Sequence, residues 1–244
     1  MAVITGASSG IGAATAAALA GAGYDVVLGA RRLERLRAVA EPLGGRALPL
    51  DVTDAASVAD FAAAVPRADV LVANAGGALG LEPIAEAREE LWEAMYQVNV
   101  LGVLRTVRAF LPKLEASGDG LVVVLGSIAG FETYAGGAGY TGAKHAVRAL
   151  VRTLRLELLG RPVRVTEVAP GLVETEFALV RFAGDRERAR KVYERMEPLT
   201  AGDVAECIRW ICALPSRVNV DELVVRPRDQ ATATQIHRRP ETSP

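Results

Sequence analysis

The chain carries 25 arginines but only three lysines, Lys113, Lys144 and Lys191. Lys144 stands four residues after Tyr140, one of only five tyrosines. Arginine supplies positive charge almost everywhere else, so a lysine here points to a need for a compact ammonium with movable protons. Residues four apart lie one above the other on a helix face. A cation held against a phenol favours the phenolate and is expected to lower its pKa from about 10 toward neutrality. Such a tyrosine can give or take a proton at the oxygen of a ketone or an alcohol. Ser127, in "GSIAG" (126–130), can donate to the same oxygen and polarise the carbonyl. Tyr134 is an internal comparison: its neighbour four positions on is Ala138, it sits in a glycine-rich loop, and it is expected to line or pack.

A second group of residues fits an anion. In "TGASSGIG" (5–12), Gly6, Gly10 and Gly12 permit a tight turn and the close approach of a pyrophosphate. Ser8, Ser9 and Ile11 complete the loop, and a helix opening there offers free N–H donors and a positive dipole end. At the end of the next strand-like run, "GARR" puts Arg31 and Arg32 where a cofactor without a 2′-phosphate usually meets an acid. Two guanidinium forks suit a phosphate dianion, which predicts NADP(H) rather than NAD. The alternative is that both arginines only begin the solvated helix "RRLERLR", as Arg35 and Arg37 are expected to do. Asp51 and Val52 follow the third strand-like run, and "NAG" (Asn74, Ala75, Gly76) follows the fourth. Asp51 suits either the adenine amino group or the cap of the helix in "DVTDAASV".

These residues need a scaffold that brings strand ends together. Short apolar runs lie at 2–5, 25–30, 46–50, 69–73, 121–126, 163–168 and 222–226. Several are apolar at successive positions, as in strands covered on both faces. Helical spacing of apolar residues occupies 11–21, 33–42, 55–65, 88–114, 140–159 and 203–214. Alternating strand and helix predicts a single-domain α/β fold, a Rossmann-type doubly wound parallel sheet of about seven strands. The catalytic domain spans 1–226, with a possible substrate lid at 174–198. Residues 227–244 are polar and proline-containing, and are expected to form a surface arm or a contact to a neighbouring subunit.

Composition narrows the function classes. Half of the 244 residues are hydrophobic, 23% are charged, and the net charge is -1, which argues against nucleic acid or an anionic membrane as the main partner. No run approaches the roughly 18 apolar residues of a membrane span. Strand-like residues begin at Ala2, leaving no room for an export signal, and the two cysteines, Cys207 and Cys212, are expected to be free thiols. A cytoplasmic location follows as the expectation. No ligand-spaced cluster predicts a metal.

Taken together, "TGASSGIG", "NAG", Asn99 in "QVNVLG" (97–102), Ser127, Tyr140-x-x-x-Lys144 and "PGLVETEF" (170–177) resemble the short-chain dehydrogenase/reductase family in order and interval over nearly the whole chain. The resemblance implies a catalytic tetrad of Asn99, Ser127, Tyr140 and Lys144. It has Asn99 hold a water that links Lys144 to solvent. It sets Pro170, Gly171, Val173 and Thr175 against the cofactor, with backbone near Val173 gripping the nicotinamide amide. Ala73 departs from the pattern, which often has a second asparagine there. The stretches "GARRLERL", "GLVETEF…VRFAGD" and "LPSRVNVDELVVRP" carry a narrower likeness to bacterial NADP-dependent 3-hydroxy acid dehydrogenases that also oxidise serine and allo-threonine. That likeness implies a homo-oligomer, a tetramer, and a small hydroxy acid or carbonyl substrate. For the substrate carboxylate, Arg181 on the lid is the candidate fork; the alternative is a solvated helix face shared with Arg186, Arg188 and Arg190.

Overall fold

A computed structural model describes residues 1–240. Its strands are β1 (Ala2–Thr5), β2 (Val26–Ala30), β3 (Arg46–Pro49), β4 (Val70–Ala73), β5 (Gly120–Leu125), β6 (Val163–Pro170) and β7 (Glu222–Val225). All pair in parallel, in the order β3-β2-β1-β4-β5-β6-β7. The helices are α1 (Gly10–Gly21), α2 (Leu33–Ala40), α3 (Ala55–Ala63), α4 (Glu89–Tyr96), α5 (Gly102–Ala116), α6 (Ala138–Glu157), α7 (Phe177–Arg181), α8 (Arg186–Tyr193) and α9 (Ala201–Cys212).

Successive strand side chains serve opposite faces. Ala2 and Ile4 of β1 join a core with Leu19 of α1, Leu36 of α2 and Ile208 of α9. Val3 between them joins the other core, with Phe61 of α3, Phe110 of α5 and Val147 of α6. Both faces are therefore dry, which accounts for the unbroken apolar runs. Between β1 and β4 the winding reverses, the point at which sheets of this kind bind ligands beyond the carboxyl ends of their strands.

Three features differ from the sequence-based expectations. The long helix expected over 88–114 is broken at Gln97–Leu101 by a π-helical turn between α4 and α5. Asn99 supports the break: its Nδ2 donates to the carbonyls of Met95 (2.8 Å) and Gly77 (2.8 Å), so the widened turn does not leave them bare. The helix after β3 is capped by Asp54, whose Oδ1 accepts from Ala56 N at 2.9 Å. Asp51 instead accepts from Thr53 N (2.9 Å) and Thr53 Oγ1 (2.7 Å), which removes capping as its role. Finally, 227–240 do not stand off as an arm; they fold back on the body of the same chain. Leu172 N donates to Gln230 Oε1 at 2.8 Å and Glu197 N to Asp229 Oδ2 at 2.9 Å, with both acceptor residues buried. The last four residues of that segment lie outside the described ones.

Met95 and Phe110 are core residues, whereas Trp92 is exposed. Both cysteines are free thiols. Among the described residues no helix is long and apolar enough to cross a membrane.

Loss of a side-chain cap costs about 1 kcal/mol. Asp54→Ala is therefore expected to lower the melting temperature by roughly 2–4 °C, and Asp51→Ala to lower it by less. Thermal denaturation of the two variants side by side checks the assignment.

Candidate active site

The floor of the site is a junction of β1 and β4. Thr5 Oγ1 accepts from the backbone N–H of Asn74 (3.1 Å) and of Ala75 (3.0 Å). Asn74 Nδ2 donates back to the carbonyls of Thr5 (2.9 Å) and Gly6 (3.2 Å). The two strand ends approach so closely that a Cβ on Gly6, whose φ is +67°, would stand 2.8 Å from Ala75 Cα. One on Gly12 would stand 2.5 Å from Asn74 Nδ2. Only hydrogen fits at either place. Helix α1 opens directly behind, with Ser9 at its N-cap, no side-chain cap bond and no acidic residue in its first turn. Its first N–H groups and dipole are thus available to an anion.

From this floor a cavity of about 710 Å³ runs to the lid. Its volume lies within the range of small-molecule sites. Of the residues expected to touch cofactor or substrate, all lie on its wall except Gly12 and Asn99. Gly12 packs behind the loop against Asn74. Asn99 is buried behind Gly76 and Gly77, its amide engaged by the Met95 and Gly77 backbone. It still neighbours Lys144: a Cβ on Gly76 would lie 2.6 Å from Asn99 Oδ1 and 3.8 Å from Lys144 Nζ.

At the far end Tyr140 and Lys144 project from α6 and Ser127 from the turn after β5. The expected acidified phenol is not what this geometry produces. Lys144 Nζ donates to the Leu125 carbonyl at 2.8 Å and lies 5.8 Å from the Tyr140 ring centroid. Tyr140 packs with Met95, Ala78 and Ala129, and Phe177 meets it edge-on with centroids 5.5 Å apart. Burial dominates and holds the phenol above its ordinary value; Tyr134 adds to this, while Ser127 and Arg181 pull the other way. Burial also pulls the Lys144 ammonium down to about 8, against an opposing push from Glu167. At neutral pH the site therefore presents a protonated phenol beside a lysine that is still mostly an ammonium.

The opposite end of the cavity is cationic. Arg32 donates from Nε to Ser8 Oγ (3.2 Å), from Nη2 to Ser9 Oγ (2.6 Å) and from Nη1 to Glu176 (2.8 Å). Arg35, expected to be only part of a solvated face, also holds Glu176, at 2.9 Å. The bond to Arg32, then its charge and the bond to Arg35, keep Glu176 below the usual carboxylate range in spite of burial. Burial alone would raise the Asp51 carboxyl, but the two Thr53 bonds and nearby Arg31 outweigh it and hold it low. Arg31 and Arg32 with the two serines make a site that fits a phosphate on the adenosine side of a dinucleotide.

The segment expected to be a lid folds into α7 and α8. Arg181 donates from Nε to the Gly80 carbonyl (3.0 Å) and from Nη2 to the Tyr134 hydroxyl (2.9 Å), and its guanidinium carbon lies 5.7 Å from the Tyr140 centroid. It faces the cavity, whereas Arg186 and Arg190 are exposed and Arg188 stacks on Phe182 at 4.4 Å. Wall residues that were not anticipated come from the folded-back segment: Gln230, Ala233, Ile236 and Arg238. The polar character of the segment as a whole resembles a surface tail, and no local pattern ties Gln230 to Leu172 or Asp229 to Glu197 far back in the chain.

Comparison with known proteins agrees with this geometry. A family model described as short chain dehydrogenase matches residues 1–184. An uncharacterized oxidoreductase of Mycobacterium tuberculosis is 59% identical over 235 residues, 96% of this chain and 94% of its own length. An NADP-dependent 3-hydroxy acid dehydrogenase of Salmonella typhi is 41% identical over 244 residues, 97% of this chain and 98% of its own. Among solved structures, the closed form of a serine dehydrogenase complexed with NADP+ superposes with a TM-score of 0.92 at 38% identity, covering 98% of this chain and 99% of that one.

The buried phenol has a spectroscopic consequence. Between about pH 7 and about pH 10, where an ordinary tyrosine titrates, the tyrosinate absorbance change of the ligand-free protein is expected to be the same in wild type and in Tyr140→Phe. A near-neutral component that disappears in the variant would restore the acidified phenol.

Proposed function

The chain belongs to the short-chain dehydrogenase family, and from that premise we propose that it is an NADP(H)-dependent oxidoreductase acting on a small 3-hydroxy acid or 3-hydroxy amino acid. Serine, allo-threonine and 3-hydroxypropionate are the first substrates to test. The observation that carries this reading is the position of Arg181 beside Tyr140 in one cavity. A fixed cation next to a proton donor suits a substrate whose carboxylate and carbinol are separated by one carbon. The bonds at Nε and Nη2 orient the fork without engaging Nη1.

In this reading Tyr140 gives its proton to the carbonyl oxygen during reduction and recovers it during oxidation. Ser127 donates to the same oxygen and favours the charge that develops there. Lys144 keeps a positive charge beneath the phenol, and its movable donors serve the cofactor ribose. Asn99 holds the π-helical turn that keeps the Gly76–Gly77 backbone against the lysine. The glycine loop with Ser8, Ser9 and Ile11 takes the pyrophosphate, Arg31 and Arg32 the 2′-phosphate, and Asp51 and Val52 the adenine side. Asn74, Ala75 and Gly76 floor the middle of the cavity, and Pro170, Gly171, Val173 and Thr175 on its wall would hold the nicotinamide. When bound, the nicotinamide supplies or accepts the hydride at the carbinol carbon.

Apolar wall residues Leu81, Val180 and Phe182 support a second reading, a reductase of a larger aldehyde or ketone. The same site without chemistry would make an NADP-sensing protein.

Four measurements separate these readings. Tyr140→Phe is expected to lower kcat about a thousandfold with NADP+ affinity retained; full activity in that variant refutes the mechanism, and turnover in the wild type refutes a sensor. Arg181→Met should raise KM roughly 10- to 100-fold for hydroxy acids and little for uncharged alcohols. A steady-state screen in which no 3-hydroxy acid turns over removes the substrate assignment. Arg32→Ala should reduce the preference for NADPH over NADH by roughly tenfold or more.

Exposed Trp92, Tyr96, Leu156, Leu159 and Trp210 support a homotetramer as part of the same proposal. Light scattering is expected to give four times the chain mass, and a monomer would refute it.

A further inference from the structure

One buried charge has no part in the chemistry above. Glu167 lies in β6, fully buried, and neither carboxylate oxygen has a hydrogen-bond partner among the described residues. Burying a carboxylate in this way is costly unless other charges compensate. Its position supplies them. On β5 it pairs with Val124, and its carboxylate lies against Gly126, where any Cβ would overlap Oε1. Gly126 separates Ser127 from Leu125, and the Leu125 carbonyl is the one that accepts from Lys144 Nζ. Ammonium and carboxylate therefore meet the same short piece of backbone, one residue from the reactive serine.

The other neighbours extend the pattern. On β7, Glu167 pairs with Glu222, which puts both acids on one face of the sheet. Helix α6 crosses that face with Lys144, Arg148 and Arg152 at four-residue intervals, one stripe. Glu222 accepts from Arg148 Nη2 at 3.3 Å and from Arg152 Nε at 2.7 Å. Arg148 also lies flat over Phe131, at 3.7 Å from the ring centroid. β5 and the turn after it offer Val124 and Gly126, neither charged. Charges thus alternate from the cavity outward: Lys144, Glu167, Arg148, Glu222, Arg152. Side-chain exposure rises from Glu167 outward, to 23% at Arg148 and 58% at Arg152.

We propose that Glu167 is a positioning residue for Lys144, a buried counter-charge that keeps the lysine an ammonium beneath Tyr140 and links it through Arg148 and Glu222 to the surface. This rests on the reading of Lys144 given above. The titration behaviour supports it. Burial, and then Glu222, push the Glu167 carboxyl up to about 7, while Lys144, Arg148 and Arg152 hold it back. As pH rises through that value the carboxyl ionises and so opposes the loss of the Lys144 proton, which burial favours and whose midpoint stands at about 8 with that opposition included. Removing the negative charge lowers the Lys144 midpoint further; the sign is that of a cation losing its partner.

The scarcity of lysine makes this measurable. Protein carrying 13C at the lysine ε-carbon gives three signals, and Lys144→Arg identifies the one from Lys144. In Glu167→Gln the Lys144 midpoint is expected to fall by about one pH unit, with Lys113 and Lys191 unmoved and Glu167→Asp closer to wild type. The alkaline limb of the kcat profile should move the same way. An unchanged Lys144 midpoint in a folded Glu167→Gln protein overturns the proposal. If that variant does not fold, reciprocity supplies the second test. In Lys144→Met the infrared band of the protonated Glu167 carboxyl, identified by 13C-glutamate, should persist to higher pH than in wild type, and coincident titrations overturn the proposal. The titration is independent of substrate: a shift without hydroxy acid turnover removes only the substrate assignment, and turnover without a shift removes only this one.

Discussion

Thr5 and Asn74 tie together the carboxyl ends of two parallel strands at the place where the chain reverses its winding. A single hydroxyl accepts from two successive backbone N–H groups, and an amide returns the bonds to two carbonyls. With both strand ends held, the loop has no room for a side chain at Gly6 or Gly12, and α1 starts where its first N–H groups meet the cavity. The other functional groups lie on strands and helices fixed to the same sheet. β5 brings Ser127, the helix packed across it brings Tyr140 and Lys144, and β6 leads into the lid. A rigid junction at one end thereby sets the distances at the other.

Desolvation then decides the proton states. The four-residue spacing of Tyr140 and Lys144 correctly places both on one helix face, but spacing carries no information about dielectric. The apolar shell of Met95, Ala78, Ala129 and Phe177 outweighs a cation 5.8 Å from the ring. The lysine is itself depressed by the same burial. The protonation of the phenol is set by its environment more than by its neighbour four residues on.

The scaffold was legible because its signals are local. Apolar runs marked every strand to within a residue or two at each end, because both faces of the sheet are covered. The glycine loop was legible because its pattern falls between a strand and a helix. The π-helical turn was not, because Asn99 needs the Gly77 carbonyl, 22 residues away, to stabilise it. Asp51 and Asp54 both stood near a helix start, and only the bond to Ala56 N distinguished the cap. Glu167 was hidden within the strand-like "VRVTEV", since nothing in that run shows which neighbours balance a buried acid. The lid arginines divided as their neighbours dictated: Arg181 meets Gly80 and Tyr134, and Arg186 and Arg190 meet solvent.

The return of 227–240 across the mouth of the cavity has a practical and evolutionary side. Gln230 satisfies a backbone N–H just after β6 and Asp229 one beyond α8, so this stretch forms part of the cavity wall rather than an appendage. Fusion partners, protease sites or deletions introduced within it alter the chamber itself. Editing these few codons in a duplicated gene reshapes the cavity wall while leaving the sheet and the Tyr140–Lys144 helix face untouched.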